Sequence, residues 1–292
     1  MWFKSRSATI RLSAGGKRTV INLKTIITSK AEFNTAVLTP VSPIGVFDSG
    51  IGGLNVLKRA AAKLPHESFI YFGDNENAPY GNKSESELFE LSKNAVNTLL
   101  SRGVKAIVVA CNTVSSSVFN KLLSVSPVPL IPTLPPIVKN KAKRTLLMCT
   151  PNTAKSDYVL KNYDFAQVLP LPFLAAEIER YLYSKDNFKE KHAKSTKLNL
   201  LKNVNLDKDL RGAYGIYDIV VLGCTHYTFL KKEIAARFPS AKIISGEQKT
   251  ALDLKRILTN LSLLREHGSI GGVEFIGNSA LKNERMFNFV QN

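Results

Sequence analysis

The 292-residue sequence has no apolar run of the length a bilayer span requires, so no transmembrane helix is expected. Its three cysteines, Cys111, Cys149 and Cys224, are odd in number and widely spaced. That excludes a disulfide framework, and without paired spacing no zinc site is expected. Thiols that stay free fit a reducing compartment, here the cytoplasm. There is no Gly-x-Gly-x-x-Gly turn and no Gly-Lys-Ser/Thr, so neither a dinucleotide fingerprint nor a P-loop is supported. Helix-turn-helix, zinc-finger and aromatic–basic patterns are also missing. No lysine has a setting that argues for a Schiff base.

Acidic residues are scarce, 23 against 40 Lys and Arg, which leaves a formal charge of +17. The excess is uneven. Residues 1–43 hold seven basic residues and one acid, Glu32. Lys139, Lys141, Lys143 and Arg144 form a second cluster, and Lys185 to Arg211 holds eight basic residues against four acids. Such clusters could hold nucleic acid or an acidic partner. Solvated lysines on loops and helix faces are the favoured reading, and nucleic acid is not expected as a partner. Residues 1–43 are acid-poor and rich in Arg and Ser, loosely like an organelle transit peptide. A β-like patch, Thr19-Val20-Ile21, stands inside them. They are read as an added, disordered extension outside the fold.

What is present is strand–loop–helix units, twice over. Ile107-Val108-Val109-Ala110 runs into Cys111-Asn112-Thr113, and Ile219-Val220-Val221-Leu222 runs into Gly223-Cys224-Thr225-His226. A continuous apolar run predicts a central strand of a parallel sheet covered on both faces. Earlier, Ile44–Phe47 leads into Asp48-Ser49-Gly50-Ile51-Gly52-Gly53, where glycines allow close backbone approach. Thr145–Cys149 followed by Thr150-Pro151-Asn152-Thr153 parallels it in the second half. Helices are predicted over about 54–63, 84–101 (capping box Ser84/Glu87; face Leu88, Leu91, Ala95, Leu99), 113–123, 153–160, 173–183, 227–238 and 247–264. Further strands are predicted at 69–72, 130–131, 167–169, 242–244 and 273–276. Residues 184–212 read as a variable surface connection.

The expected fold is therefore α/β: two pseudo-symmetric domains with mainly parallel sheets flanked by helices, and an active site in the cleft between them. The first domain is assigned residues 44–132 plus about 248–292, the second 133–247.

Ligands of open α/β sheets bind at the carboxyl ends of the strands, so two cysteines there suggest two catalytic groups facing one ligand. A thiol at a helix start is expected to have a lowered pKa. Asp48 is a candidate partner for Cys111, and His226 for Cys224. Two such groups on opposite sides of a substrate suit removal of a proton from one face and its return on the other. Cys149 lacks that polar context and reads as a small core residue.

Val46–Leu54, Pro79-Tyr80-Gly81, Ala110–Thr113 and Leu222–Tyr227 together resemble the four signature motifs of the glutamate racemases, in order and spacing, over about residues 44–280. The resemblance implies a cofactor-independent two-base racemase that supplies D-glutamate for peptidoglycan. It implies Cys111 and Cys224 as acid/bases assisted by Asp48 and His226, with Asp48, Ser49, Tyr80, Gly81, Asn112, Thr113, Thr225 and His226 at substrate-contacting positions. It also implies an acid, Glu177 or Glu179, near the second cysteine. Thr228 stands where the family usually has proline, and Gly277-Asn278-Ser279 matches the usual C-terminal piece poorly. A racemase for aspartate or a hydantoin is one rival reading, and a basic protein acting on DNA or a DNA-handling enzyme is another. A homodimer is compatible with all of them.

Overall fold

The computed structural model describes residues 9–14, 17–22, 38–182, 201, 204–213 and 215–291. Within the first 43 residues, β1 (Thr9–Ala14) and β2 (Lys17–Asn22) pair antiparallel as a two-stranded sheet. The Thr19–Ile21 patch lies on β2. The rest of the stretch read as a disordered extension falls outside the described residues as far as residue 37, as does most of the 184–212 connection.

The apolar runs become two wholly parallel sheets. The first has the order β11-β4-β3-β5-β6, from Val273–Ile276, Phe69–Gly73, Ile44–Asp48, Ala106–Val109 and Leu130–Pro132. The second has the order β10-β9-β7-β8, from Lys242–Ser245, Ile219–Gly223, Thr145–Cys149 and Gln167–Pro170. Counted within each half, both sheets run second-first-third-fourth strand, so the duplication read in the sequence is a duplication of topology. β11 adds an edge to the first sheet. In this order the chain reverses direction across the sheet between its first and third strands, which opens a crevice at their carboxyl ends. Those ends carry Asp48 and Cys111 in one sheet, Cys149 and Cys224 in the other.

The flanking helices are α1 (Leu54–Lys63), α2 (Glu85–Leu100), α3 (Asn112–Ser117), α4 (Phe119–Leu123), α5 (Pro151–Lys155), α6 (Asp157–Asn162), α7 (Leu174–Leu182), α8 (Leu206–Asp209), α9 (Lys231–Arg237), α10 (Glu247–Asn260) and α11 (Ala280–Gln291). On α2 the buried face is Leu88, Ser92, Ala95, Val96 and Leu99, with Leu91 only half-buried. Ser84 caps it by accepting from the Glu87 N–H at 3.3 Å. The Glu87 carboxylate does not complete the capping box but pairs with Lys83 at 2.6 Å.

Three predicted helices are broken. That over 113–123 divides at Val118, after the Ser115 and Ser116 hydroxyls have turned to the carbonyls of Val109 and Thr113. Serine hydroxyls competing for backbone in this way weaken a helix. The helix over 153–160 divides at Ser156, which caps α6 through the Val159 N–H. The helix expected from Tyr227 begins as a 3₁₀ turn, Thr225–Leu230, and becomes α-helical only at Lys231.

At the amino end of the first sheet, Lys105 and Glu67 are both buried and paired at 2.6 Å. Lys105 Nζ also donates to the Pro40 carbonyl at 2.5 Å, and Glu67 accepts from the Arg265 N–H at 2.8 Å. Buried charges persist only when partnered in this way. The clamp ties the start and the end of the fold together at the pole opposite the cysteines.

Candidate active site

Asp48 ends β3 with no exposure to solvent. Its Oδ1 accepts from the Gly50 N–H at 2.9 Å. Its Oδ2 accepts from the Thr225 hydroxyl at 3.2 Å, so a carboxylate of the first sheet is bound to a residue of the second. Burial raises the Asp48 pKa, opposed by His226 and the Gly50 amide.

Cys111 is the residue before α3 and is buried. Its thiol donates to Ser49 Oγ at 3.7 Å. The expected lowered pKa is not what the surroundings produce. Burial, and then the negative Asp48, push the Cys111 thiol up to about 12, against weaker help from the Val114 amide and Ser49. A six-residue helix supplies too little to reverse desolvation.

Cys224 follows β9 and precedes a 3₁₀ turn, so an α-helix dipole does not act on it. Its neighbour is His226, whose Nδ1 is 3.8 Å from Sγ. His226 Nε2 lies 2.6 Å from Glu179 Oε2. Burial opposes a charge on the imidazole, but the Cys224 sulfur and the Glu179 carboxylate outweigh it and raise the His226 pKa well above 6.5. Of the two acids left open by the sequence, then, Glu179 reaches the cysteine's histidine. It also accepts from the Ile51 N–H at 3.2 Å and from Asn75 Nδ2 at 2.5 Å.

The glycines of the β3–α1 loop make room for this meeting. A Cβ on Gly50 would sit 2.5 Å from Glu179 Oε2, and one on Gly52 would overlap Thr225 Oγ1 and His226 Nδ1. The second sheet's machinery therefore lies directly on bare backbone of the first.

The other sequence-assigned residues fall around this core. Tyr80 is buried and donates to Asp74 Oδ2 at 2.5 Å; burial, then Asp74, raise its pKa and keep it a phenol. The Gly81 carbonyl accepts from the Asn152 N–H at 3.1 Å. Thr113 Oγ1 meets Thr150 Oγ1 at 2.9 Å across the cleft. Asn112 is turned aside: its amide donates to the Thr133 carbonyl at 2.9 Å. Cys149 packs in a core cluster with Leu147, Tyr158 and Val221. Thr228 donates to the Thr225 carbonyl at 2.7 Å and accepts from Asn55 Nδ2 at 2.8 Å, another bond between the halves.

Asp74, Asn75, Thr150 and Asn152 also border the site, beyond the residues that the sequence motifs indicate. Thr150 and Asn152 had a signal, since their loop occupies in the second half the place of Asp48-Ser49 in the first. Asn75 had none, because it meets Glu179 across 104 positions. The contacts across the cleft leave Cys111, Cys224, Thr225 and His226 all under 7% exposed. A cavity of about 840 Å³ opens elsewhere, lined by Pro135, Ile137, Lys155, Lys249 and Arg256, and neither Cys111 nor Cys224 borders it.

No family model matches the chain. A curated glutamate racemase of Clostridium botulinum is 38% identical over 242 residues, 79% of this chain and 89% of the relative. Among solved structures, the glutamate racemase of Thermus thermophilus in complex with beta-chloro-D-alanine superposes with a TM-score of 0.67 at 30% identity, covering 85% of this chain and 94% of that one. The glutamate racemase of Francisella tularensis in complex with D-glutamate gives 0.62 at 26%, covering 87% and 95%. Fold and relatives together define an isomerase built on two α/β sheets. More particularly, the chain belongs to the glutamate racemase family.

Proposed function

We propose that the protein interconverts L- and D-glutamate in the cleft between two α/β domains, with Cys111 and Cys224 as the acid/base pair and no cofactor. The observation that carries this reading is the convergence of two differently supported thiols on one buried carboxylate-lined site, Cys111 with Ser49 and Cys224 with His226, joined by the Asp48–Thr225 bond. The family's solved members include one holding D-glutamate, which supports that substrate.

A two-base racemase needs one thiol protonated and the other not. Cys111, pushed up to about 12, is an acid at neutral pH. His226, held cationic between Glu179 and Cys224, is placed to stabilise negative charge on the Cys224 sulfur. In one direction Cys224 takes the α-proton and Cys111 delivers its own to the opposite face. In the reverse direction the roles exchange. The α-hydrogen of an amino acid is weakly acidic, and the carbanion has no conjugated sink. Its stabilisation falls to a dry site and fixed donors, which a closed cleft provides. Tyr80, Thr113 and Thr225 border the site with their hydroxyl protons held by Asp74, Thr150 and Asp48, and each would turn from that partner to donate to a substrate carboxylate. D-glutamate made in this way would supply cytoplasmic peptidoglycan synthesis.

The test is circular dichroism of L-glutamate with purified protein and no pyridoxal phosphate. Ellipticity should decay to zero. A flat trace, or decay only after pyridoxal phosphate is added, would reject the reading.

A further inference from the structure

The hydrogen bonds at Glu179 continue beyond the site. Asn283, on the C-terminal helix α11, is fully buried, and its Nδ2 donates to Asn75 Oδ1 at 3.1 Å. Asn75 Nδ2 in turn donates to Glu179 Oε1 at 2.5 Å, and Glu179 Oε2 holds His226, whose other nitrogen faces Cys224. An amide has one accepting and one donating end. Because Asn283 occupies the accepting end of Asn75, the donating end must face the carboxylate. Were Asn75 turned over, its oxygen would meet a carboxylate oxygen and repel it.

Two glycines leave space for the chain of contacts. A Cβ on Gly73 would sit 2.9 Å from both Asn283 Nδ2 and Asn75 Oδ1, and one on Gly50 would strike Glu179. The backbone of the Asn75 loop is already pinned, since the Asp74 N–H donates to the Asp48 carbonyl at 3.0 Å. What remains to be set is the direction of the Asn75 amide. The helix that sets it is itself anchored by buried Met286 and Phe287, with Phe287 against Phe275 of β11.

We propose that Asn283 is a positioning residue for the Cys224 half of the reaction, acting through Asn75, Glu179 and His226. This rests on the two-cysteine reading. The relay ends on Cys224 and bypasses Cys111, whose thiol is held by Ser49. Its loss should therefore slow proton transfer on one face of the substrate only. Racemisation rates cannot reveal this, because the two enantiomers have equal energy and kcat/KM must fall equally in both directions.

A one-base reaction can. From 3-chloroglutamate, removal of the α-proton by a single cysteine expels chloride, giving an enamine that hydrolyses to 2-oxoglutarate and ammonium. Chloride release is measured for each C2 enantiomer with wild type, Cys111→Ser, Cys224→Ser, Asn283→Ala and Asn75→Ala. Asn278→Ala, which removes an exposed bond to Glu76, is the surface control. Each serine variant should lose one enantiomer, and a different one. Asn283→Ala should slow, by about 2- to 10-fold, the enantiomer that Cys224→Ser loses, the range expected for loss of one hydrogen bond between neutral amides. The other enantiomer should react at the wild-type rate. Asn75→Ala should repeat that pattern and decides the matter if Asn283→Ala does not fold. Equal slowing of both enantiomers, or no slowing, in the folded variants overturns the proposal. If the serine variants fail to separate the enantiomers, the two-cysteine reading falls instead.

Discussion

Gly50→Ala isolates the contribution of Glu179 with one methyl group. Gly50 does not have a left-handed φ, so its backbone accepts alanine without strain. The added Cβ would stand 2.5 Å from Glu179 Oε2 and 2.8 Å from both Cδ and Oε1, where ordinary contact begins at 3.4 Å. The carboxylate must retreat by about 0.9 Å. It is fixed by three donors, Ile51 N–H, Asn75 Nδ2 and His226 Nε2. A shift of that size takes the 2.6 Å bond to His226 to the limit of hydrogen bonding. Losing one hydrogen bond to a charged group is worth about 1.5–3 kcal/mol. If that loss falls on the transition state, kcat/KM drops by about 10- to 150-fold. The assay is glutamate racemisation followed by circular dichroism, beside a thermal melt to show that the fold persists. Wild-type kcat/KM in a folded Gly50→Ala protein would refute the role given to Glu179.

Further outcomes follow from other parts of the structure. Cys111→Ala and Cys224→Ala should each lower racemisation by about 10²–10⁴-fold or more, as loss of an acid/base group does, while Cys149→Ala should keep near wild-type turnover; steady-state rates for the three variants decide it. His226 has a raised pKa in the folded state, so its stabilising contribution is complete below 6.5 and fades as pH rises through the folded value. The gap in Tm between wild type and His226→Gln should be widest at acid pH and narrow toward alkaline pH, and a gap that widens with pH would contradict the sign. A chain beginning at residue 38 should melt like the full chain. One beginning at 43 loses the Pro40 carbonyl from buried Lys105 and should be about 1–3 kcal/mol less stable by denaturant titration.

The sheets were legible because a strand covered on both faces must be apolar throughout, and Ile44–Phe47, Ile107–Val109 and Ile219–Leu222 show that without ambiguity. A different pattern, apolar residues at helical spacing through Leu88, Leu91, Ala95 and Leu99, marked α2. Breaks within helices were not legible, because the hydroxyls of Ser115, Ser116 and Ser156 act through the geometry of nearby carbonyls and amides rather than through periodicity. The two cysteines and the Asp48–Gly53 loop stood out as polar and glycine residues at the ends of apolar runs. What that loop receives did not stand out. Glu179 could be narrowed only to a pair with Glu177, and Asn75 and Asn283 gave no sign, since their meaning comes from chain segments that meet only in three dimensions. The raised pKa of Cys111 is hidden from the sequence for a related reason: a helix start is visible there, whereas burial beside Asp48 is a property of the closed cleft.

The most direct measurement of the two-base account is the fate of the α-hydrogen in D₂O. L-glutamate is incubated with the protein, and both enantiomers are recovered early and examined by proton NMR. If one thiol removes the proton and a second, solvent-equilibrated thiol delivers to the other face, the D-glutamate formed carries deuterium at the α-carbon from the first turnover, while unreacted L-glutamate retains protium. D-glutamate that keeps its original proton, or deuterium entering both enantiomers at the same initial rate, would mean that a single base serves both faces and would contradict it.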